Sequence, residues 1–539
     1  MTIRGIARTT LFLVALLAPA LGRPMPVRAE ITEPALLDSL QHTAFLYFWE
    51  QANPANGLIK DKTAVDSKCS IAANGFGLSA ICIGVDHGWV SRDDARTRVL
   101  TTLNTFWNGP QGTASLGMMG YKGWFYHFLE MDTGQRAYTS ELSSIDTALL
   151  LAGILDAKMY FDQDDPSENQ IRALADSIYY RVDFKWMQNL GTGIRMGWNP
   201  ESGFSSFGQW TGYNEAMILY ILAIGSPIAT KASPASAWNT WTFYYNWNIQ
   251  YGYTYIIFPP LFGHQYTHCW VDFRGIRDSF GRNHGLTYFE NSRRATLAQQ
   301  AYSIDDPFNR GYSDSLWGLT ASEYPGSGGY SARGAPPAQN DDGTIAPTAP
   351  GGSIPFAPEI CIPALRNMYN SLPAILPDVW GRYGFKDAFN IAQSWVAPHW
   401  LGIDQGPFIM MIENYRMGMP WGRFMRNPDV QNGLTRIGFQ GVVGVGDPAP
   451  ATAPLELYPS EPNPFTTGTT LRYSLSRGGT VRLSLVDIQG RVVRRLVDGV
   501  QGAGPHSVML RGEDLPSGVY RVRLEHDGQV TTRPCVRLR

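Results

Sequence analysis

Apolar side chains in this chain change their spacing once. From Leu36 to about Phe424 they recur at helical intervals, and beyond Pro454 they alternate with polar residues at every second position. A helix returns to the same side every 3.6 residues and a strand every two, so the switch separates a large helical unit from a small β unit. A length of 539 residues also exceeds what one core usually organises. In the first unit the spacing predicts helices near 33–51, 73–88, 91–107, 143–162, 167–185, 213–225, 234–246, 285–302 and 358–371, about a dozen with the weaker ones. The runs Leu149 to Leu155 and Ala216 to Ala223 are almost wholly apolar, as in helices packed on both sides. A dozen helices in sequential pairs, without a fixed-period repeat, suit a closed ring of hairpins, an all-α (α/α)6 barrel with loops lining one mouth. The connections 109–123, 196–211 and 318–358 are long and rich in Gly, Pro and Trp, and loops of that length in a compact domain usually serve function.

Residues 441–454, rich in Gly, Ala and Pro, read as a linker between a helical domain over 30–440 and a β domain over 455–539. In the latter, Leu471 to Leu475, Val481 to Leu485, His506 to Leu510 and Val519 to Leu524 alternate as half-buried strands do, which predicts an all-β immunoglobulin-like sandwich. At the start, Arg4 and Arg8 precede an apolar run from Leu11 to Leu21 that is too short to span a bilayer, and Val27-Arg28-Ala29 follows as a small-x-small site. Residues 1–29 are therefore expected to be a signal peptide, sending the chain to the periplasm, the cell surface or the medium. The five cysteines are scattered and form neither a disulfide framework nor a paired metal motif.

With 44 basic and 46 acidic side chains there is no field to attract nucleic acid or an anionic membrane. Aromatic residues make up 12% of the chain, and flat rings suit the apolar faces of sugars as well as a large core. Four stretches place carboxylates where chemistry or simple structure would use them. Glu141 and Asp146 stand at the start of a Leu and Ala-rich helix, as caps or as cleft acids. Glu215 opens an apolar helix just after a Trp and Gly-rich loop, where burial would raise its pKa as a general acid requires, though capping would also explain it. Asp404 precedes Gln405-Gly406-Pro407 and again fits either a cap or a site. Asp272, Arg274, Glu290, Arg293 and Arg294 join forked donors to aromatics, either to bind hydroxyls or to form a buried ion pair of Asp272 with Arg293 or Arg294. No HExxH, Gly-x-Ser-x-Gly, phosphate-binding Gly-rich loop or CxxC is present, and Asp164-Asp165 and Asp341-Asp342 read as acidic turns.

The stretches Ala73-Asn74-Gly75-Phe76-Gly77-Leu78, Trp270-Val271-Asp272-Phe273-Arg274-Gly275, Tyr288-Phe289-Glu290-Asn291-Ser292-Arg293-Arg294 and Asp341-Asp342-Gly343-Thr344-Ile345-Ala346-Pro347-Thr348, with 145–150 and 318–322, resemble the glucoamylase-like domain of glycoside hydrolase family 144 over residues 34–440. The resemblance implies an (α/α)6 barrel that hydrolyses β-1,2-glucan, endo-acting and inverting, without metal or organic cofactor. It also implies catalytic roles for Glu215 and Asp404, with Glu141 and Asp146 in the cleft. Trp124, Trp198, Trp210 and Trp400 are expected sugar platforms beside Asp272, Arg274, Glu290 and Arg293. Alternatives on the same scaffold are an exo-acting hydrolase, a transglycosylase or a non-catalytic glycan-binding surface protein. Tyr458-Pro459-Ser460-Glu461-Pro462-Asn463-Pro464-Phe465, Val486-Asp487-Ile488-Gln489-Gly490 and Leu515-Pro516-Ser517-Gly518-Val519-Tyr520 resemble type IX secretion sorting domains and the FlgD immunoglobulin-like fold. That likeness implies contact with secretion machinery; otherwise the chain is expected to be a monomer whose partner is a β-glucan.

Overall fold

The computed structural model describes residues 31–326, 329–335, 340–442 and, with short gaps, 455–538. The expected signal peptide and nearly all of the expected linker lie outside the described residues. Ten helices of nine residues or more stand among those described: α1 (Glu33–Glu50), α2 (Ile71–Asp86), α3 (Arg92–Asn108), α4 (Ser144–Tyr160), α5 (Pro166–Arg181), α6 (Met217–Gly225), α7 (Tyr288–Asp305), α8 (Pro358–Ser371), α9 (Gly402–Arg416) and α10 (Pro428–Ile437). Most agree with the apolar spacing to within a few residues. The segment near 213 departs from it, because residues 213–216 form a turn and the helix proper starts at Met217. Side chains close the exposed amides at several starts: Ser70, Ser91, Ser143, Asp165, Thr287 and Asn427 each accept from backbone N–H groups of the first turn.

The helices form two layers. All nine residues of α6 are buried, and α2, α4 and α9 are buried nearly all round. By contrast α3 and α5 bury a single stripe and cover the outside. The inner helix α2 packs on α1, α4 and α9, and α6 lies against α4 and α10. Glycines set the closest crossing. A Cβ at Gly153 of α4 would stand 1.9 Å from the carbonyl oxygen of Gly75 in α2, so the two backbones touch without side chains between them. Gly153→Ala is therefore expected to force the pair apart at a cost of about 1–3 kcal/mol, read as a lowered melting temperature. Gly422→Ala, where nothing lies within 4 Å, leaves stability unchanged or slightly raised.

Between the helices, short antiparallel pairs tie distant loops together. Ser322–Glu323 (β1) pairs with Tyr330–Ser331 (β2), Leu142–Ser143 with Gly197–Trp198, and Phe389–Asn390 with Trp395–Val396. These pairs gather around the N-terminal ends of α4, α6 and α9, which makes that end the place where residues far apart in sequence meet. The C-terminal unit has two antiparallel sheets. One is ordered β3 (Glu456–Leu457), β4 (Gly468–Leu475), β7 (Gly504–Arg511); the other is ordered β6 (Val492–Gln501), β5 (Gly479–Val486), β8 (Gly518–His526), β9 (Gln529–Arg537). Leu471, Tyr473 and Leu475 of the first sheet and Val481, Leu483, Leu485, Val522 and Leu524 of the second share one core, as the alternation requires.

Candidate active site

Three helix starts contribute acids to one region. In α4, the Ser143 hydroxyl accepts from the Asp146 amide at 3.2 Å and donates to Asp146 Oδ2 at 2.5 Å. Capping and site placement are thus both present at this turn. His127 bridges the two expected cleft acids, with Nδ1 3.1 Å from Glu141 Oε1 and Nε2 3.6 Å from Asp146 Oδ2. Burial alone would lower the pKa of His127, but Asp146, Glu141 and Asp61 lift it to about 9. The ring is then a cation at neutral pH and offsets part of the negative charge around it. Side-chain atoms of His127, Glu141 and Asp146 lie within 4.8 Å of one another, a spacing that could also hold a metal ion. A metal there would have to displace the imidazolium proton. Asp61, on the loop before α2, is pushed up to about 6 by burial, an effect His127 partly offsets.

Glu215 sits two residues before α6. The Asn214 carboxamide fixes this turn by accepting from the Ala216 amide at 3.0 Å and from Trp241 Nε1 at 3.2 Å. The Thr267 hydroxyl donates to the Glu215 carbonyl at 3.3 Å and accepts from the Ile218 amide at 3.1 Å. Among the described residues no other side chain bonds the Glu215 carboxyl. Burial raises its pKa to about 7, and the charge on Asp146 adds to the shift.

Asp404, in the first turn of α9, is 2% exposed, and Asp387 beside it is 3% exposed. Burial raises the pKa of Asp404 well above the carboxylate range, with Asp387 adding to the rise; burial also raises that of Asp387 to about 7, where the charges of Glu323 and Asp61 add and Asp404 itself works against the rise. The Tyr330 hydroxyl donates to Asp404 Oδ2 at 3.2 Å, while the tyrosine as a whole is 44% exposed. Glu323, cross-strand from Tyr330, donates its amide to Asp387 Oδ2 at 2.6 Å; its carboxylate meets His399 Nδ1 at 2.9 Å and Lys62 Nζ at 3.4 Å. The Tyr266 phenol lies within electrostatic reach of both Asp404 and Glu215: burial first, then those two charges, raise its pKa. Glu215 and Asp404, 189 positions apart, are thus both felt by the Tyr266 phenol, with Asp146 acting on Glu215 and Asp61 and Asp387 acting on Asp404.

The expected binding residues divide. Trp198 is partly exposed and backed by Tyr121 and Trp186 at 5.5 and 5.7 Å, and Trp210, also partly exposed, donates its indole N–H to Ser144 Oγ at 2.9 Å beside the start of α4. Trp124 corrects the expectation: it has no exposed surface and donates to the Asp183 carbonyl at 3.0 Å, so no sugar can reach it. Trp400 has Lys386 Nζ 3.6 Å from its ring centroid and lines an outer groove with Trp380 and Trp395. Asp272 pairs with Arg274 at 2.7 Å, not with Arg293 or Arg294, and the Arg274 guanidinium stacks on Trp421. Trp421 lies past the C-terminal end of α9, whereas Asp404 is at its N-terminal end about 20 Å away along the axis, which removes this pair from the cleft. Arg293 pairs with Glu359 at 2.6 Å and Glu290 with Arg294 at 2.9 Å, both as partly exposed surface pairs. The sequence reading missed His127, Asp61, Asp387, Glu323 and Tyr330. His399 stands five residues before Asp404 in sequence, but nothing local marks Asp387, which follows an ordinary turn and strand.

A family model described as "Putative glucoamylase" matches residues 208–428, and one described as "Secretion system C-terminal sorting domain" matches residues 458–536. An exo β-1,2-glucooligosaccharide sophorohydrolase (non-reducing end) of Parabacteroides distasonis is 30% identical over 440 residues, covering 76% of this chain. The chain spans 58% of that relative's length. A Bacteroides uniformis crystal structure, described in the same words as the first family model, is 34% identical and superposes with a TM-score of 0.70 over 77% of this chain and 99% of its own. An endo-β-1,2-glucanase of Chitinophaga pinensis, solved with sophorotriose and glucose, is 28% identical with a TM-score of 0.68, over 76% of this chain and 99% of its own. With a helical unit of this form followed in sequence by a two-sheet unit, the chain belongs to the glucoamylase-like family related to the β-1,2-glucanases and carries a C-terminal secretion-system sorting domain.

Proposed function

We propose that this chain is an exported β-1,2-glucan hydrolase, endo-acting and inverting, in which Glu215 is the general acid and Asp404 receives the proton of the attacking water. The observation that carries this reading is the pairing of environments. Glu215 keeps a proton up to about pH 7 in a turn that leaves its carboxyl free of other side chains, and a second buried acid, Asp404, acts on the same phenol, Tyr266, as Glu215 does. In the step, Glu215 protonates the glycosidic oxygen as the bond from the anomeric carbon breaks. Water adds to that carbon from the opposite face, losing its proton to Asp404 directly or through a substrate hydroxyl. An inverting pair needs about 6.5–9.5 Å between its carboxyls to admit that water. The imidazolium of His127 holds the Glu141 carboxyl below its ordinary pKa against the effect of burial, and the negative charge kept there favours the oxocarbenium-like charge developing on the sugar. Trp198 and Trp210 supply stacking surfaces at the cleft.

The two-layer arrangement of helices supports a six-pair (α/α)6 closure, and the two packed sheets support an immunoglobulin-like topology for the sorting domain. That domain, with the signal peptide expected over residues 1–29, supports delivery to the outer surface or the medium. Exo action is a second reading, favoured by the Parabacteroides relative that releases sophorose from the non-reducing end. Chromatography of early products from linear β-1,2-glucan separates the two: a ladder of oligosaccharides indicates endo cleavage and sophorose alone indicates exo cleavage. Proton NMR of the nascent anomer reports inversion, and no turnover on any glucan would leave only a binding role.

The pH profile follows from the acid. A general acid must enter the step protonated, so kcat/KM is expected to fall as pH rises through about 7, the value to which burial lifts Glu215. A profile flat to pH 9 would remove Glu215 from that role.

A further inference from the structure

We propose that the outer groove lined by Trp380, Trp395 and Trp400 is a second binding site for the β-1,2-glucan chain, separate from the acids of the candidate active site, and that it holds the polymer to the enzyme between cleavages. The inference rests on the reading of the substrate as β-1,2-glucan.

The groove has a volume of about 640 Å3, and each of its three indoles is partly exposed. Two consecutive antiparallel pairs build it: Trp380–Gly381 with Gly384–Phe385, and Phe389–Asn390 with Trp395–Val396. The rings are held from behind. Trp380 stands edge-on to Tyr369 and Phe385, both at 4.8 Å. Trp400 stands edge-on to Tyr383 at 5.4 Å and donates its indole N–H to the Gly384 carbonyl at 3.1 Å, and Trp395 packs on Ala346, Ala388 and Ala397. Rings fixed in this way lose little freedom when a ligand stacks on them. Leaving three of them in contact with water is unfavourable in proportion to the apolar surface shown, and contiguous surface of this kind marks a binding site.

The charges of the groove select a neutral ligand. Lys386 and Asp378 line it with one charge of each sign, and the Lys386 ammonium is engaged by the Pro398 carbonyl and by the Trp400 ring, 3.6 Å from its centroid. A polyanion finds no net attraction there. An uncharged sugar chain offers apolar ring faces to the indoles and hydroxyls to Lys386, Asp378 and Ser394. The position of the groove makes it a second site. The Asp387 amide donates to the His399 carbonyl at 3.2 Å and the Ala397 amide to the Ala388 carbonyl at 2.8 Å, so residues 386–388 and 397–400 run side by side. Neighbouring side chains of an extended segment point to opposite sides. Lys386 and Trp400 line the groove, whereas Asp387 Oδ2 accepts from the Glu323 amide at 2.6 Å and His399 Nδ1 meets the Glu323 carboxylate at 2.9 Å. Groove and acids thus lie on the two faces of one layer of chain, and one glucosyl unit cannot occupy both.

The test counts sites. In the Glu215→Gln protein, isothermal titration with a β-1,2-linked glucose tetramer is expected to show two sites per chain, and only one once Trp380→Ala and Trp395→Ala are added. In the otherwise unmodified protein the same two substitutions should raise KM on linear β-1,2-glucan by about 10-fold while kcat stays within about twofold. A single site in the Glu215→Gln protein, or two sites that survive both substitutions, overturns the proposal. So does a change from dimer to monomer in sedimentation with glucan binding as before, which assigns the groove to a second copy of this chain. Should the double variant fail to fold, Trp395→Ala alone decides: the second site must weaken by about 10-fold, and an unchanged affinity overturns the proposal. An unmodified protein that turns over no β-1,2-glucan defeats the reading of the substrate itself, and with it this choice of occupant.

Discussion

Glu215→Gln is expected to lower kcat on linear β-1,2-glucan by about 1,000-fold while KM changes little, as measured by reducing-end release. General acid catalysis contributes about 100- to 10,000-fold, and glutamine keeps the size and polarity of the side chain while removing the proton it would give. The loss should depend on the leaving group. An aryl β-sophoroside whose phenolate departs without protonation bypasses the missing acid, so the variant recovers most of its rate on that substrate and none on the glucan. A Glu215→Gln protein with full activity on the polymer would end the assignment. The same substitution has a second consequence that pulls the opposite way. Because burial raises the Glu215 pKa from 4.5 to about 7, the folded state holds this proton more tightly than the unfolded one. Its contribution to stability is therefore complete below pH 4.5 and declines as pH rises toward 7. Removing the group should lift the melting temperature at pH 8 relative to the unmodified protein, with a smaller difference at pH 4. A carboxyl held against its solvation preference costs stability, and its replacement recovers part of that cost.

Asp404→Asn should produce a loss of similar size, about 1,000-fold in kcat, but with a different signature. Here the leaving group is still protonated by Glu215, and the missing function is removal of the water proton. Activated aryl glycosides therefore do not rescue the variant, and the contrast between the two substitutions assigns the roles. An asparagine at 404 keeps the hydrogen bond with Tyr330, so the fold and glucan binding are retained and the effect falls on kcat. Recovery of the Asp404→Asn rate on an activated substrate would exchange the roles of the two acids.

Part of the candidate site is legible in the order of residues. Glu215 and Asp404 stand out in the sequence because a lone carboxyl at the start of an apolar helix needs a reason to be there. Helix starts collect such groups through the free amides and the macrodipole, and at Asp146 the cap and the site coincide in one side chain. Trp198 and Trp210 lie in a loop whose length and composition already marked it as functional. Trp124 shows the limit of that reasoning. A tryptophan in a Gly-rich loop looks the same in sequence whether its ring faces a cleft or, as here, the core. The Asp272 and Arg274 stretch failed for a related reason: two residues apart, these side chains satisfy each other locally, so their charges are spent before any ligand arrives. Asp387 and Tyr330 had no local mark at all.

What the sequence by itself determined is the periodicity: where helices run, which are buried all round, where strands take over, and the residue types available at each helix start. Those follow from short-range spacing, which a chain carries in its order. The tertiary structure alone decided which acids meet, because the hairpin that joins Asp387 to Asp404 and the imidazolium between Glu141 and Asp146 bring together groups tens to hundreds of residues apart. A pKa depends on everything within several ångströms of the carboxyl, on the water excluded and the charges left nearby, and that neighbourhood exists only once the chain has closed around it.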